Sequence, residues 1–192
     1  MRHNEIRDIE AALLREVCKD VKIEPELLPI GNVDMRGANT AEKARLDVSA
    51  VGIWSSMERT FVDARIMHPN SPSYRDKKPE YVYIQQDCEK KRMYNQRVLQ
   101  IEKGSFTPLI FLTTGGMGAE CNKRVAELIS LKRNESYSHV MNFIRTKIRF
   151  SLLKSILVAV RGVRGKSRKT NGYQISDVSF NIIPDMPSYE TA

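Results

Sequence analysis

Between Asn4 and Val17 the apolar residues Ile6, Ile9, Leu13 and Val17 recur three and four apart, the spacing of one buried helical face. Asn4 can cap the first turn, so the pattern predicts a helix over about residues 4–19. VKIEP then alternates Val21 and Ile23 with polar neighbours and stops at Pro25, which reads as a short strand. After a polar loop, ARLDVSA alternates strictly, with Ala44, Leu46, Val48 and Ala50 on one side and Arg45, Asp47 and Ser49 on the other. RTFVDARIM repeats the pattern, and the link VGIWSSME makes a hairpin the simplest connection.

HPNSPSYRDKKP is a Pro- and Ser-rich loop, and YVYIQQDCEKKRMYNQRVLQIEKG reads as a long helix closed by Lys103 and Gly104. Its apolar stripe runs Ile84, Cys88, Tyr94, Val98 and Ile101, and the position demanded between Cys88 and Tyr94 is Lys91. FTPLIFL, residues 106–112, is a continuous apolar run, as a strand covered on both faces is. TTGGMG then turns the chain toward two helices, near 119–132 and 137–161. The order is helix, strand, two paired strands, helix, strand, helix, helix (α-β-β-β-α-β-α-α). It predicts an α/β fold with a mixed sheet of about four strands and flanking helices. Residues 1–165 are expected to form one domain, and 166–192, which lack periodicity, a basic disordered tail.

Charge changes this picture. Residues 1–89 carry 13 Lys/Arg against 16 Asp/Glu, whereas residues 90–192 carry 18 against 7. The balance therefore moves from −3 to +11 along the chain, and a strongly basic half favours a polyanionic partner such as nucleic acid, with a solvated basic face as the alternative. From 132 to 169 eleven basic residues face one acid, Glu135. A helix that buries Ile144, Ile148, Leu152 and Ile156 is expected to turn Arg145, Arg149, Lys154, Arg161 and Arg164 outward as a phosphate-tracking surface. Cys18, Cys88 and Cys121 are odd in number and far apart, so reduced, intracellular thiols are expected. The most apolar stretch, FSLLKSILVAV, is short and contains Lys154, so no membrane partner is expected.

Two carboxylates inside apolar strand patterns are the candidate chemistry. Asp63 and Arg65 are two apart on one strand and so share a face, toward which Asp47 on the neighbouring strand can project. Paired carboxylates suit a hard cation such as Mg²⁺ or Mn²⁺, and Arg65 or Lys91 can add a positive charge for a phosphodiester. The two carboxylates are expected to lie close enough to share a cation, with Lys91 opening into the same cleft. Glu24 from the first strand and Glu5 from the first helix are further ligand candidates, though each reads more readily as a solvated surface residue. The competing reading pairs Asp47 with Arg65, or Asp63 with Arg45, across the strands on a solvated sheet face. TTGGMG is read as a tight strand-to-helix turn rather than a phosphate loop, and His3, His68 and His139 are given no metal role.

RHNEIRD (2–8), the Glu24–Pro25 pair, ARLD, FVDARI, EKKRMYNQR and FTPLIFLTTGGMG occur in an order that resembles a restriction-endonuclease-like domain of the PD-(D/E)xK type. The specific likeness is to the domain near the C-terminus of non-LTR retrotransposon polyproteins. The resemblance spans about residues 2–165 and rests on motif order more than on any one motif. It implies a Mg²⁺- or Mn²⁺-dependent endonuclease, a fragment of a longer polyprotein, that nicks target DNA in the nucleus so that the freed 3′-hydroxyl primes reverse transcription. RNA or a reverse transcriptase domain are further partners that it implies. Carried over by position, Asp47 is the first acid, Asp63 the second, and the family's helix lysine falls at Lys91 or Lys90. Leu46 stands where that motif has proline and Arg65 where it has lysine, and an arginine is a poor general base. A catalytically inactive nucleic-acid-binding module of the same fold is the alternative.

Overall fold

A computed structural model describes residues 2–31, 35, 37–118 and 120–164; the expected tail, 166–192, lies outside them. The chain begins with α1 (Arg2–Val17), followed by β1 (Lys19–Ile23), β2 (Val48–Val51) and β3 (Arg59–Met67). Then come α2 (Pro79–Arg97), a π-helical turn (Val98–Glu102), β4 (Ser105–Leu112), α3 (Glu120–Arg133) and α4 (Tyr137–Arg164). The four strands form one mixed sheet in the order β1-β2-β3-β4. β1, β2 and β3 are antiparallel neighbours, and β4 joins β3 in parallel after the α2 crossover. The expected order of elements and the four-stranded mixed sheet are both present.

Helices cover both faces of the sheet. On one, α1, α3 and α4 bury Ile6, Leu13, Leu14, Val125, Ile129, Ile144, Ile148 and Leu152 against Val48, Ala50, Val62, Ala64, Leu109 and Phe111. On the other, α2 and its π turn close over two smaller clusters, Leu46, Phe61, Val98 and Phe106 in one and Met67, Val82, Ile110 and Leu112 in the other. β4 is buried along nearly its whole length, as its continuous apolar run requires. It tolerates Pro108 because it is an edge strand, where a missing N–H breaks no ladder.

Three local expectations are corrected. ARLDVSA is a strand only from Val48: Ala44 and Leu46 belong to the α2-side cluster while Val48 and Ala50 face α1. Residues 44–46 leave the alternation to pair with the segment after β1, through Leu27 N to Ala44 O at 2.9 Å and Leu46 N to Pro25 O at 3.3 Å. Second, the helix after residue 79 ends in a π turn and is stopped by Lys103 in the left-handed conformation (φ 55°), not by Gly104. Gly104 has a different task, since a Cβ there would collide with the Arg59 carbonyl oxygen where β4 starts beside β3. Third, α2 faces the sheet with Val82, Gln86 and Arg97, while Ile84 and Cys88 of the expected stripe are exposed. Arg97 is fully buried and donates to the carbonyls of Leu28, Asn39 and Ala41 at 2.7–2.9 Å, tying down the loop between β1 and β2. The inward face is polar because it serves backbone and carboxylate partners, which an apolar count cannot register.

Glu10, on the inner face of α1, is 1 % exposed and neither of its carboxyl oxygens has a hydrogen-bond partner. Burial pushes its pKa from 4.5 to about 8, so the folded chain holds a proton there that the unfolded chain has released at neutral pH. A raised acid pKa makes stability fall as pH rises from 4.5 to about 8. Glu10→Gln should therefore stabilise the fold by on the order of a few kcal/mol above pH 8 and by almost nothing below pH 4.5. Thermal melting of both chains by circular dichroism across that range checks the sign.

Candidate active site

β3 outruns β2. Their ladder ends at the pair Val48–Val62, so the next residues of β3 on that side have no strand beside them. Asp47, just before β2, fills the gap with its side chain: Oδ2 accepts the Ala64 N–H at 2.6 Å, replacing a ladder bond. Its own backbone carbonyl accepts from Glu24 N–H at 2.9 Å. Glu24 is itself in the left-handed conformation (φ 50°), at the junction between β1 and the segment that pairs with residues 44–46. Oδ1 of Asp47 is 2.8 Å from His3 Nε2, on the first turn of α1.

Asp63 lies in the middle of β3 and points to the α2 face, since Val62 and Ala64 on either side of it face α1. Its carboxyl group lies close enough to that of Asp47 to feel its charge, and Lys90 from α2 makes an ion pair with its Oδ2. The Lys90 amine also sits 5.7 Å from the centre of the Tyr94 ring. The two aspartates are 9 % and 7 % exposed. Burial raises the Asp63 pKa from 3.8 to about 6; the Lys90 ammonium pulls it down and the Asp47 carboxylate pushes it up.

The structure therefore brings Asp47, Asp63 and Lys90 together and sorts the remaining candidates. Lys91, expected in the cleft, pairs instead with Asp87 one turn back at 2.9 Å; the inward residue is its neighbour Lys90, because α2 is rotated about one position from the apolar stripe. Arg65 shares the α2 face with Asp63, as its spacing requires, but pairs with Glu89 at 3.2 Å. Arg45 pairs with Glu26, so neither of the cross-strand pairs that competed for the aspartates forms. Glu24 directs its carboxylate to Arg7, away from the aspartate pair, and Glu5 accepts from Ser151 and Ser155 of α4. His3, given no metal role from the sequence, is found as a partner of Asp47, a contact that the sequence did not indicate. What could have pointed to it is its place on the first turn of the helix that packs beside the strands, not any spacing to another ligand.

Arg145, Arg149, Lys154 and Arg161 are all exposed on α4; of Arg164 only the backbone is described. Arg149 reaches back to the strand-to-helix turn, its Nε 3.3 Å from Gly115 O, and Gly115 (φ 90°) is the residue that lets that turn close. No described helix is long and apolar enough to cross a membrane. Neither a protein-family model nor a curated protein matches this chain in sequence.

The carboxylate pair makes a direct prediction. Asp47→Asn removes the like charge and should let Asp63 titrate below about 6, whereas Lys90→Met removes the counter-charge and should raise it. Carboxyl carbon chemical shifts of Asp63 followed against pH in the three chains report both directions.

Proposed function

We propose that the chain is a metal-dependent DNA endonuclease domain of the kind its motif order resembles. The observation that carries this reading is the buried pair Asp47 and Asp63, whose charges act on one another, with a lysine drawn onto Asp63 from the covering helix. Asp47 serves the Ala64 N–H, but packing gives no reason to set a second buried acid beside it, since the Asp47 carboxylate opposes ionisation of Asp63.

The donors fit a small hard cation. Mg²⁺ characteristically takes one or two protein carboxylates and completes its octahedron with water and substrate phosphate oxygens. Asp47 and Asp63 would hold it, although among the described residues no group of three or more His, Cys, Asp or Glu gathers at one point. When bound, the ion would supply an activated water and charge stabilisation on the scissile phosphodiester. Asp63, poised to lose its proton at about pH 6, is a carboxylate ready for a cation at neutral pH. Lys90, which pairs with Asp63, would set its ammonium beside the phosphate oxygens, where negative charge grows as the bond breaks. His3 holds Asp47 in orientation through Oδ1, and the Ala64 N–H does so through Oδ2. Arg65, held by Glu89, adds positive field near the site without exchanging a proton.

The exposed basic residues Arg145, Arg149, Lys154 and Arg161 would follow the DNA backbone on this reading, and the acidic and basic halves of the chain would keep the metal and phosphate fields apart.

Purified chain incubated with supercoiled plasmid and Mg²⁺ should produce open circles, and none with chelator. Asp63→Asn and Asp47→Asn should each lower nicking by at least about a hundredfold, and Lys90→Ala by about tenfold to a hundredfold, with DNA binding retained. Salt-dependent binding without nicking would assign the chain to an inactive nucleic-acid-binding module instead. Arg145→Ala should weaken binding to all sequences alike and reduce the salt slope by about one.

A further inference from the structure

α4 carries two apolar faces, and the body of the protein uses only one. Val140, Met141, Ile144, Ile148 and Leu152 are buried against α1, α3 and the sheet. On the other side Phe143, Phe150, Leu153, Leu157 and Val160 are each 46–67 % exposed. Beyond Ile156 the described side chains of the helix are all exposed, so its last turns stand clear of the core. The exposed set is not scattered: Phe143, Phe150 and Leu157 are seven apart, and Leu153 and Val160 fall three residues after the second and third of them. That is the spacing of a heptad seam, extending over roughly 26 Å of helix at 1.5 Å per residue.

The flanks decide what fits the seam. Lys147, Lys154 and Arg161 follow it on one side and Arg149 lies on the other, with no acid on either. Lys147 even lies along the stripe, its amine 5.7 Å from the centre of the Phe143 ring. A second copy of α4 would set these cations against one another in either orientation. DNA has no apolar surface for five such side chains. A membrane surface needs a wide apolar face, and the body of the protein already occupies the rest of this helix. A seam of period 3.5, one or two side chains wide, is satisfied along its length by another helix winding around it.

We propose that the outer face of α4 docks an amphipathic helix of a partner protein, with apolar residues at heptad spacing and glutamates or aspartates along its edges. The site is separate from the aspartate pair, which α2 covers on the opposite face of the sheet, but it shares Arg149, Lys154 and Arg161 with the proposed DNA surface, so an acidic helix and DNA would compete for those residues.

The test uses the full chain and two short synthetic heptad peptides with leucine in the seam, one flanked by glutamate and the other by lysine, followed by fluorescence anisotropy. The glutamate-flanked peptide should bind, and the lysine-flanked one should not. Phe150→Ser together with Leu157→Ser, both at exposed positions, should weaken binding at least about tenfold while leaving the circular dichroism spectrum unchanged. Lys147→Glu with Lys154→Glu should reverse the preference between the peptides, which a merely sticky surface would not do. Failure to bind the acidic peptide overturns the proposal, as does equal binding of both peptides. Self-association in sedimentation that the Phe150 and Leu157 changes abolish would give the face to a second copy. Binding to phosphatidylserine vesicles but not to the peptide would give it to a membrane.

Discussion

The end of the β2–β3 ladder is the constraint on which the rest of this structure depends. Where β2 has stopped, a backbone N–H of β3 would otherwise be buried without an acceptor, at a cost of about 1–3 kcal/mol. The Asp47 carboxylate supplies that acceptor from the side, and in doing so is fixed beside Asp63. The same oxygens cannot be moved to relieve the repulsion without reopening the ladder. The pair is thus held together by backbone geometry, and its charge has to be answered by other groups.

Those groups come from both layers of helices. His3 reaches Asp47 from α1 on one face, and Lys90 reaches Asp63 from α2 on the other. A site supported from two faces of a sheet is stiffer than one carried on a loop, which favours precise placement of charge over adaptability. The polar inner face of α2 follows from this: Lys90 and Arg97 replace apolar residues where the helix must meet a carboxylate and the open carbonyls of a loop. The hydrophobic material displaced from that face gathers on the opposite one, where α1, α3 and α4 form the main core.

α4 divides its labour in a similar way. Its inner stripe closes the core and Ser151 and Ser155 hold Glu5 of α1, while its outer stripe and basic edges point away from the body. A helix of 28 residues has room for both stripes, and they sit on different sides because they are out of phase by about half a turn, as Met141 and Phe143 are, two residues apart.

Apolar periodicity alone determined the kind and order of the elements, the four-stranded mixed sheet, the buried face of α4 and the fully covered β4, because these are set by which side chains must leave water. It also singled out Asp47 and Asp63, since two acids inside strand patterns contradict burial unless something answers their charge. The shortening of β2, the rotation of α2 that exchanges Lys91 for Lys90, the burial of Arg97 and the approach of His3 were decided only in three dimensions. Each depends on partners between 17 and 69 residues away in the chain. Pairing of this kind satisfies hydrogen bonds and charges across elements, and it leaves no periodic trace in the local sequence.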